Sequence, residues 1–166
     1  QPVGSFAGAM GLGQFMPSSY HAYGVDFDGD GRRNLWDPED AIGSVANYFD
    51  KHGWRSGQQV TAQAAGGRGL PQAMETGFKS EYSVASLKAK GLRPAVALPD
   101  DRRVSLLRLD AAGGYEYWLG FENFYVITRY NNSTYYAMTV HQMAQALRAR
   151  RGSGPALRMT FEPGSD

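Results

Sequence analysis

Residues 26 to 37 read DFDGDGRRNLWD and have the pattern of a calcium-binding loop. Carboxylates occupy the first, third and fifth positions as Asp26, Asp28 and Asp30, and Gly31 is sixth. An EF-hand loop uses this alternation to place oxygen ligands round a hard cation, and it uses the glycine for a sharp turn. The stretch therefore predicts a Ca²⁺ site, with an acidic surface turn as the alternative interpretation.

The seventh and closing ligands complete the predicted site. Arg32 is seventh and supplies its backbone carbonyl, so its side chain does not interfere. A count of twelve places the closing carboxylate at Asp37, but Asp37 followed by Pro38 is typical of a helix cap and a first helical residue. The closing carboxylate usually lies in the first turn of the following helix, where this chain has Asp40. Asp40 is the favoured ligand and Asp37 the alternative.

Helix signals flank the loop on both sides, as an EF-hand requires. Pro17 suits a first helical position and Gly24 a stop, which predicts a helix over Pro17–Tyr23. The following helix is predicted from Pro38 to the His52-Gly53 pair. Its apolar face at helical spacing consists of Ile42, Val45, Ala46 and Phe49.

Composition limits the class of protein. The 166 residues are about one domain's length and can bury a core. A net charge of +1 argues against nucleic acid as a partner, and no stretch approaches the roughly 20 apolar residues of a membrane span. Without cysteine the chain has no disulfide and no thiolate metal site. Its ten tyrosines suit core packing and carbohydrate stacking equally well.

Three zones are predicted along the chain. Residues 1 to about 56 are predicted as helix with glycine interruptions. Residues about 57 to 121 are predicted as turn-rich β structure. From about Asn123 the pattern is helical again. Residues 152–166 are predicted to be a flexible tail.

Several elements within these zones have definite boundaries. The predicted strands and short helix are Gln58–Ala62, Val104–Asp110, Tyr115–Leu119 and Ser86–Lys90. The second and third strands form a hairpin round Ala111–Gly114. The last helix is predicted to have one apolar face made of Tyr136, Val140, Met143, Ala144 and Leu147.

The segment GSFAGAMGLGQFMPSS, residues 4 to 19, is rich in small residues. Its glycines allow the backbone to approach another part of the protein or a ligand closely, so tight internal packing and a ligand cleft are both open interpretations. Gln14 favours the cleft slightly, because an amide among small apolar residues suits a hydrogen-bonding contact.

Three motifs in this order resemble one family. They are AMGLGQFMP at residues 9–17, the acidic loop that follows, and FYVITRYNNS at residues 124–133. They resemble the lytic murein transglycosylase B family of bacterial enzymes that cleave peptidoglycan, and the resemblance extends to about Arg151. It implies an α+β, lysozyme-like fold, mainly helical, with a small antiparallel β region and an EF-hand-like calcium loop. It also implies one catalytic domain over residues 1–151 with a β-rich insertion at about 57–121.

The resemblance implies a reaction as well. Family members cleave the β-1,4 bond between N-acetylmuramic acid and N-acetylglucosamine without water and leave a 1,6-anhydro-muramyl end. One glutamate acts as acid and then as base, which requires a pKa raised by an apolar pocket. That glutamate precedes the glycine-rich motif by several tens of residues, so it is expected upstream of Gln1. We therefore expect a C-terminal portion of such an enzyme, with no catalytic residue in this chain and no activity alone.

The resemblance also assigns contacts to substrate and metal. The implied substrate-binding residues are Ser5, Gln14, Tyr48, Tyr130, Asn131 and Tyr136. Tyr48 has independent support, because it lies off the predicted apolar face and core packing does not explain it. Tyr136 begins an apolar helical face, so core packing alone could account for it. The calcium, held by Asp26, Asp28, Asp30, Arg32 and Asp40, is expected to be structural.

Location and partners follow from the same resemblance. A periplasmic location is expected, in a soluble or lipid-anchored parent. Peptidoglycan glycan strands are the expected partner, with cell-wall synthesis proteins as further candidates, and exposed apolar surface would favour self-association. The competing functions are a non-catalytic, calcium-stabilised module that binds glycan or protein, and a purely structural calcium-binding domain.

Overall fold

The computed structural model describes residues 4–66, 70 and 74–152 of an α+β protein. The chain divides into two compact units, the first ending at Gly53 and the second beginning at Trp54. This division lies close to the predicted start of the β-rich zone. Within the described residues no helix is long and apolar enough to cross a membrane.

The first unit contains a turn-rich segment and two helices. Residues 4–16, which were predicted as interrupted helix, form turns and an isolated antiparallel bridge between Met10 and Phe15. Helix α1 spans Pro17–Tyr23 and α2 spans Pro38–Lys51. The prediction of both helices is confirmed, including the proline that begins each of them.

Local chemistry sets the ends of α2. The Asp37 carboxylate accepts a hydrogen bond from the backbone N–H of Glu39 at 2.8 Å, which satisfies one of the donors that a helix N-terminus leaves unpaired. At the other end His52 is the C-cap, followed by Gly53 at φ +91°. A left-handed residue at this position suits glycine, because no Cβ clashes with the last turn.

The buried face of α2 is not the predicted one. Ile42, on the predicted apolar face, is 60% exposed. The buried residues are Asp40, Ala41, Gly43, Ser44, Asn47 and Tyr48. The prediction was wrong because it assumed that only apolar groups are buried, whereas polar groups are buried at little cost when they are hydrogen-bonded.

Three buried polar side chains on α2, which we call the polar stripe, bind the chain that precedes the helix. They are Asp40, Ser44 and Asn47. The Ser44 hydroxyl accepts a hydrogen bond from the Val25 N–H at 3.0 Å, and the Asn47 amide donates to the Tyr23 carbonyl at 3.0 Å. The polar stripe therefore holds the end of α1 and the residues that follow it against the middle of α2.

Glycines allow two close approaches in this unit. A Cβ on Gly11 would lie 2.3 Å from the Leu35 Cβ, and the Leu12 N–H donates to the Leu35 carbonyl at 2.7 Å. A Cβ on Gly43 would lie 2.5–2.7 Å from Phe27. Gly11 therefore serves internal packing, which was one of the two interpretations of the glycine-rich segment.

The second unit is built on a five-stranded antiparallel sheet in the order β2-β4-β5-β1-β3. Its strands are β1 Thr61–Gly66, β2 Tyr82–Ser83, β3 Leu92–Pro94, β4 Arg103–Ala111 and β5 Gly114–Gly120. Its helices are α3 Val84–Ala89, α4 Glu122–Tyr130 and α5 Thr134–Arg151. One buried hydrophobic cluster of this unit consists of Ala62, Ala64, Val84, Leu87, Leu92, Val104, Leu106, Leu119 and Phe121.

The predicted hairpin is confirmed, and two other boundaries move. Strands β4 and β5 pair from Ser105↔Gly120 to Ala111↔Gly114. The strand predicted over Gln58–Ala62 begins later, at Thr61. Helix α3 begins at Val84, earlier than predicted, because the Ser83 hydroxyl accepts from the Ser86 N–H and caps it.

The two last helices follow each other closely. Buried Asn123 at the start of α4 accepts a hydrogen bond from the Arg55 N–H at 2.8 Å and donates to the carbonyls of Arg55 and Gln58. This clamp holds the loop before β1 against α4. In α5 the buried residues are Ala137 and Met138.

The apolar face predicted for α5 is only partly covered. Tyr136 and Val140 are half-buried, but Met143, Ala144 and Leu147 are exposed. Within the described chain, α5 buries residues only near its beginning. The apolar side chains of its later turns are therefore exposed. The predicted flexible tail lies outside the described residues, apart from Gly152.

The contact between Gly43 and Phe27 leads to the first prediction. Gly43→Ala should lower the free energy of unfolding by about 1–2 kcal/mol, because overpacking at 2.5–2.7 Å from Phe27 outweighs the better helix propensity of alanine. Urea denaturation measures the loss. In the double variant with Phe27→Ala the loss should be smaller than the sum of the single losses, and strict additivity would contradict the proposed clash.

Candidate functional site

Three carboxylates of the first unit lie together. Oxygen atoms of Asp26, Asp28 and Asp40 all lie within 4.8 Å of one another, and we call these residues the acidic cluster. The first two come from the loop between α1 and α2, and the third from the first turn of α2. The geometry thus unites residues that are up to fourteen positions apart in sequence.

The loop backbone folds round its own aspartates. Asp26 accepts hydrogen bonds from the N–H groups of Gly29 and Gly31, both at 2.8 Å. Gly31 adopts φ +85°, which is the left-handed conformation expected at the sixth position. Asp28 accepts from the Asp30 N–H at 3.0 Å. These bonds aim backbone donors at the carboxylates and curl the loop.

Asp40, not Asp37, meets the other two carboxylates. Its two oxygens accept hydrogen bonds from the Phe27 and Asn34 N–H groups, both at 2.7 Å, and the residue is 1% exposed. Asp37 is occupied in capping α2. Of the two open choices for the closing carboxylate, this geometry favours Asp40.

The remaining predicted ligands are less closely placed. Asp30 is exposed and lies outside the acidic cluster, and its carboxylate accepts from the Arg32 N–H at 2.7 Å. Arg32 is also exposed. The structure therefore brings together three of the four predicted carboxylate ligands, and ligation by Asp30 and by the Arg32 carbonyl stays a prediction.

Local interactions shift the pKa values of two cluster carboxyls in opposite directions. The Asn34 and Phe27 N–H groups hold the pKa of Asp40 below its ordinary value, although burial acts the other way. For Asp28 the Asp30 N–H lowers the pKa, but desolvation, the charges of Asp30 and Asp40 and a hydrogen bond with Asp26 outweigh it and raise the pKa. The surroundings of the cluster therefore move the pKa values of these two carboxyls apart.

This arrangement fits a hard divalent cation. Carboxylate oxygens are the ligands that Ca²⁺ prefers, and a 2+ charge would offset the repulsion from Asp30 and Asp40 that contributes to the raised pKa of Asp28. The residues with atoms placed to hold the ion are Asp26, Asp28 and Asp40.

Tyr48 belongs to an aromatic cluster, which consists of Phe15, Tyr23, Tyr48, Phe49 and His52. The Tyr48 ring centroid lies 4.9 Å from that of Tyr23 in an edge-on arrangement, and 3.9 Å from that of His52 in a stacked one. The Phe15 and Phe49 rings lie at 6.0 and 6.3 Å. Tyr48 is only 9% exposed, so the argument that core packing does not explain it was wrong.

Ser5 and Gln14 shape the glycine-rich segment. The Ser5 hydroxyl accepts from the Ala9 N–H at 3.0 Å, and the Gln14 amide donates to the Gly11 carbonyl at 2.9 Å. Both residues are exposed, and Gln14 adopts an unusual φ of +49°. A non-glycine residue in this conformation carries some strain, which is more frequent at functional sites. Sugar contacts by these residues stay a prediction.

The other three predicted contacts lie where α4 ends and α5 begins. Tyr130 is the last residue of α4 and is half-buried, while Asn131 follows as the exposed C-cap. Ser133 caps α5 by accepting from the Tyr136 N–H at 3.2 Å. Burial raises the pKa of the half-buried Tyr136. Tyr130, Asn131 and Tyr136 are therefore neighbours along one helix–helix junction.

Sequence reasoning missed the polar stripe and the aromatic partners of Tyr48. A signal for the stripe was present, because Asp40, Ser44 and Asn47 recur at i, i+4 and i+7, the spacing of one helix face. That face was ignored because its residues are polar. Of the partners, His52 follows Tyr48 at i+4 along the same helix, a local spacing that the prediction did not use. Tyr23 comes from α1, and no local sequence pattern joins it to Tyr48.

The glutamates of the described ranges share one property, which is exposure to solvent. They are Glu39, Glu75, Glu81, Glu116 and Glu122. Glu162 lies outside the described residues. A general acid needs an apolar pocket that raises its pKa, and an exposed carboxyl lacks one.

The comparisons with known proteins all identify the same family. The family model described as "Transglycosylase SLT domain" matches residues 1–145. Among curated proteins, the membrane-bound lytic murein transglycosylase B of Escherichia coli (strain K12) is 60% identical over 149 residues, which are 89% of this chain and 40% of that protein. The chain thus spans less than half the length of this relative.

Solved structures agree with the sequence match. The Escherichia coli lytic transglycosylase Slt35, in complex with calcium, is 60% identical with a TM-score of 0.82 over 89% of this chain and 46% of its own. SltB3 from Pseudomonas aeruginosa, in complex with NAG-anhNAM-pentapeptide, is 33% identical with a TM-score of 0.75 over 93% of this chain and 41% of its own. The predicted resemblance is confirmed, as is a fold shared with lytic transglycosylases.

The hydrogen bonds of Asp40 lead to the second prediction. Asp40→Asn should lower the free energy of unfolding at pH 7 by about 1–3 kcal/mol, because the amide nitrogen cannot accept one of the two N–H groups. Asp40 has a lowered pKa in the folded chain, so its stabilisation is present above its unfolded pKa of about 3.9. That stabilisation is lost as the pH falls through the folded pKa.

Urea denaturation with a chelator, from pH 3 to pH 8, measures this dependence. The difference between the wild type and Asp40→Asn should narrow below about pH 4. The exposed Asp50 on the same helix provides the matched control Asp50→Asn, which should change little. Equal stability of Asp40→Asn and the wild type at pH 7 would contradict the prediction.

Proposed function

Because the chain belongs to the transglycosylase SLT domain family, we propose that it contributes to a lytic transglycosylase that acts on the glycan strands of peptidoglycan. The single observation that carries this proposal is the 60% identity to a lytic murein transglycosylase over 89% of the chain. The proposed reaction cleaves the β-1,4 bond between N-acetylmuramic acid and N-acetylglucosamine and forms a 1,6-anhydro-muramyl end.

In this proposal the chain supplies substrate-binding residues. Asn131 is exposed beside Tyr130, so its amide is accessible for hydrogen bonds to sugar hydroxyl or acetamido groups. Gln14 and Ser5 are exposed on the glycine-rich segment and offer similar groups. Complexes of similar proteins support a glycan ligand, because Slt35 binds bulgecin A and SltB3 binds NAG-anhNAM-pentapeptide.

The carboxyls of the described chain support a binding role more than an acid role. The glutamates of the described ranges are exposed, and the buried Asp40 has a lowered pKa. Asp28 has a raised pKa, but it lies in the exposed acidic loop. None of these groups combines an apolar pocket with a raised pKa, which proton delivery to a leaving oxygen requires.

Calcium is proposed as a structural ion. Asp26, Asp28 and Asp40 would hold it, with further ligands from Asp30 and the Arg32 carbonyl, and a similar structure contains calcium. The ion would supply positive charge between repelling carboxylates. Asp40 would then tie the loop to α2 through its bonds to Phe27 and Asn34, without any part in glycosidic chemistry.

Location and partners are proposed on the same basis. The curated relative is a membrane-bound lytic transglycosylase, which supports a place in the cell envelope, and we propose the periplasm. Peptidoglycan is the proposed partner. Binding to cell-wall synthesis proteins and self-association are further proposals. The latter is supported by exposed apolar side chains such as Ile42, Met143 and Leu147.

A second candidate is a calcium-stabilised module that binds glycan without cleaving it. The exposure of the described glutamates favours this function for the chain on its own. Incubation with murein sacculi, followed by mass spectrometry of the soluble products, separates the candidates. Release of anhydro-muropeptides above a no-protein control would identify an acid within the chain, and Glu39, Glu75 and Glu81 would be mutated first.

The third prediction concerns the ion. Calcium at 100 times its dissociation constant should raise the free energy of unfolding by about 2.7 kcal/mol, because it binds only the folded chain. Thermal denaturation at increasing calcium concentration measures the rise, which Asp26→Ala should remove. Asp101→Ala, which alters an exposed carboxylate of the second unit, should retain it. A melting temperature that calcium leaves unchanged in the wild type would contradict the site.

The fourth prediction concerns glycan contacts. Asn131→Ala should weaken binding to murein sacculi about tenfold, the loss expected for roughly 1.4 kcal/mol of hydrogen bonding. The neighbouring Asn132 is also exposed, so Asn132→Ala is a matched control that should bind like the wild type. A co-sedimentation titration measures both. Equal binding by the two variants would remove Asn131 from the proposed site.

A further inference from the structure

We propose that Asn47 is a positioning residue that couples the acidic cluster to Tyr48 through Tyr23. This inference rests on the proposed function for its calcium ion, and the contact of Tyr48 with glycan that the family resemblance implies is a separate prediction. Coupling of this kind means that occupancy of one site changes the geometry, and therefore the affinity, of the other.

The polar stripe and the preceding chain are in register. Along α2 the bonded residues are Asp40, Ser44 and Asn47, and their partners Phe27, Val25 and Tyr23 run in the opposite direction. Three or four helical residues rise about 4.5–6 Å, and two extended residues about 6.6 Å. Because these spacings are close, every second residue of Tyr23–Phe27 can meet the next residue of the stripe.

The acidic cluster forms one end of this register. Asp40 is a member of both the cluster and the stripe, so a force on its carboxylate acts on its bond with the Phe27 N–H. Repulsion among the carboxylates opposes closure of the loop on α2. A divalent cation would reverse that repulsion and strengthen the attachment of the loop along the whole stripe.

The aromatic cluster forms the other end. Asn47 donates to the Tyr23 carbonyl at 3.0 Å and is nearly buried. The Tyr23 ring meets Tyr48 edge-on at 4.9 Å and His52 at 5.2 Å. The hydrogen bond of Asn47 therefore fixes the backbone from which the Tyr23 ring reaches Tyr48.

His52 offers a direct spectroscopic reporter of this coupling. The chain has three histidines, and the His52 ring stacks on Tyr48 at 3.9 Å, where ring currents make its resonances sensitive to small displacements. His141 lies in the second unit and serves as the internal reference. Calcium added to the full chain should shift the His52 Cε1–H signal and leave the His141 signal unchanged.

Two variants interrupt the coupling at different points. Asn47→Ala removes the bond to the Tyr23 carbonyl, and Tyr23→Leu keeps that bond but removes the ring contact with Tyr48. Each should bind calcium within about threefold of the wild type by calorimetry and should lose at least half of the His52 shift. Ser83→Ala removes one capping hydrogen bond in the second unit, so this matched control should retain the full shift.

The outcomes separate this inference from the function on which it rests. An undiminished His52 shift in both variants, or calcium binding to the wild type without any His52 shift, would overturn the coupling alone. Absence of calcium binding by the wild type would overturn the ion site and the coupling together. If Asn47→Ala fails to fold, Tyr23→Leu still decides. Binding of murein sacculi, measured separately, tests the glycan function.

Discussion

The first unit depends on hydrogen bonds from one face of α2 to the backbone of the chain that precedes it. Asp40, Ser44 and Asn47 satisfy four backbone groups, at Tyr23, Val25, Phe27 and Asn34. Buried polar side chains must be paired, and these three find their partners in backbone groups of the preceding chain, which lose those partners if the side chains are removed. This requirement explains why a polar face is buried while Ile42 on another face is exposed.

The same bonds place the acidic cluster under opposing forces. Backbone donors stabilise the ionised form of Asp40. The Asp30 N–H acts in the same way on Asp28, but desolvation and the charges of Asp30 and Asp40 outweigh it and raise the pKa of Asp28. A loop that needed only to connect two helices would gain nothing from this conflict. A bound cation would resolve it, because the positive charge favours every carboxylate at once. The convergence of oxygen atoms from Asp26, Asp28 and Asp40 within 4.8 Å adds a geometric argument for the proposed ion site to the sequence pattern.

Sequence predicted the features that local chemistry controls. The ends of α1 and α2 follow from Pro17, Gly24, Asp37 and Pro38, and the hairpin follows from a glycine-containing turn between two β-rich runs. Local chemistry also favours Asp40 over Asp37 as the closing ligand of the ion site, because the Asp37 carboxylate already caps α2.

The features that could not be predicted from sequence, such as which helix faces are buried, depend on tertiary contacts. Periodicity identified an apolar face on α2 and on α5, but which face is covered depends on partners that are distant in the chain. That reasoning placed Tyr48 outside the core, yet Phe15 and Tyr23, which are distant from it in the chain, pack against it. The family resemblance supplied the residues of the proposed glycan site, which residue patterns alone would have left open.

Both units anchor a helix with a buried amide, and a proposed glycan contact lies on or directly after that helix. Asn47 is followed by Tyr48 on α2, and Asn123 clamps the start of α4, whose end is followed by Asn131. Contacts held on anchored helices are positioned more accurately than contacts on free loops. It follows that substitutions at Asn47 or Asn123 can weaken glycan binding without any contact to the glycan. Loss of binding identifies a contact residue only when the variant retains the stability of the wild type.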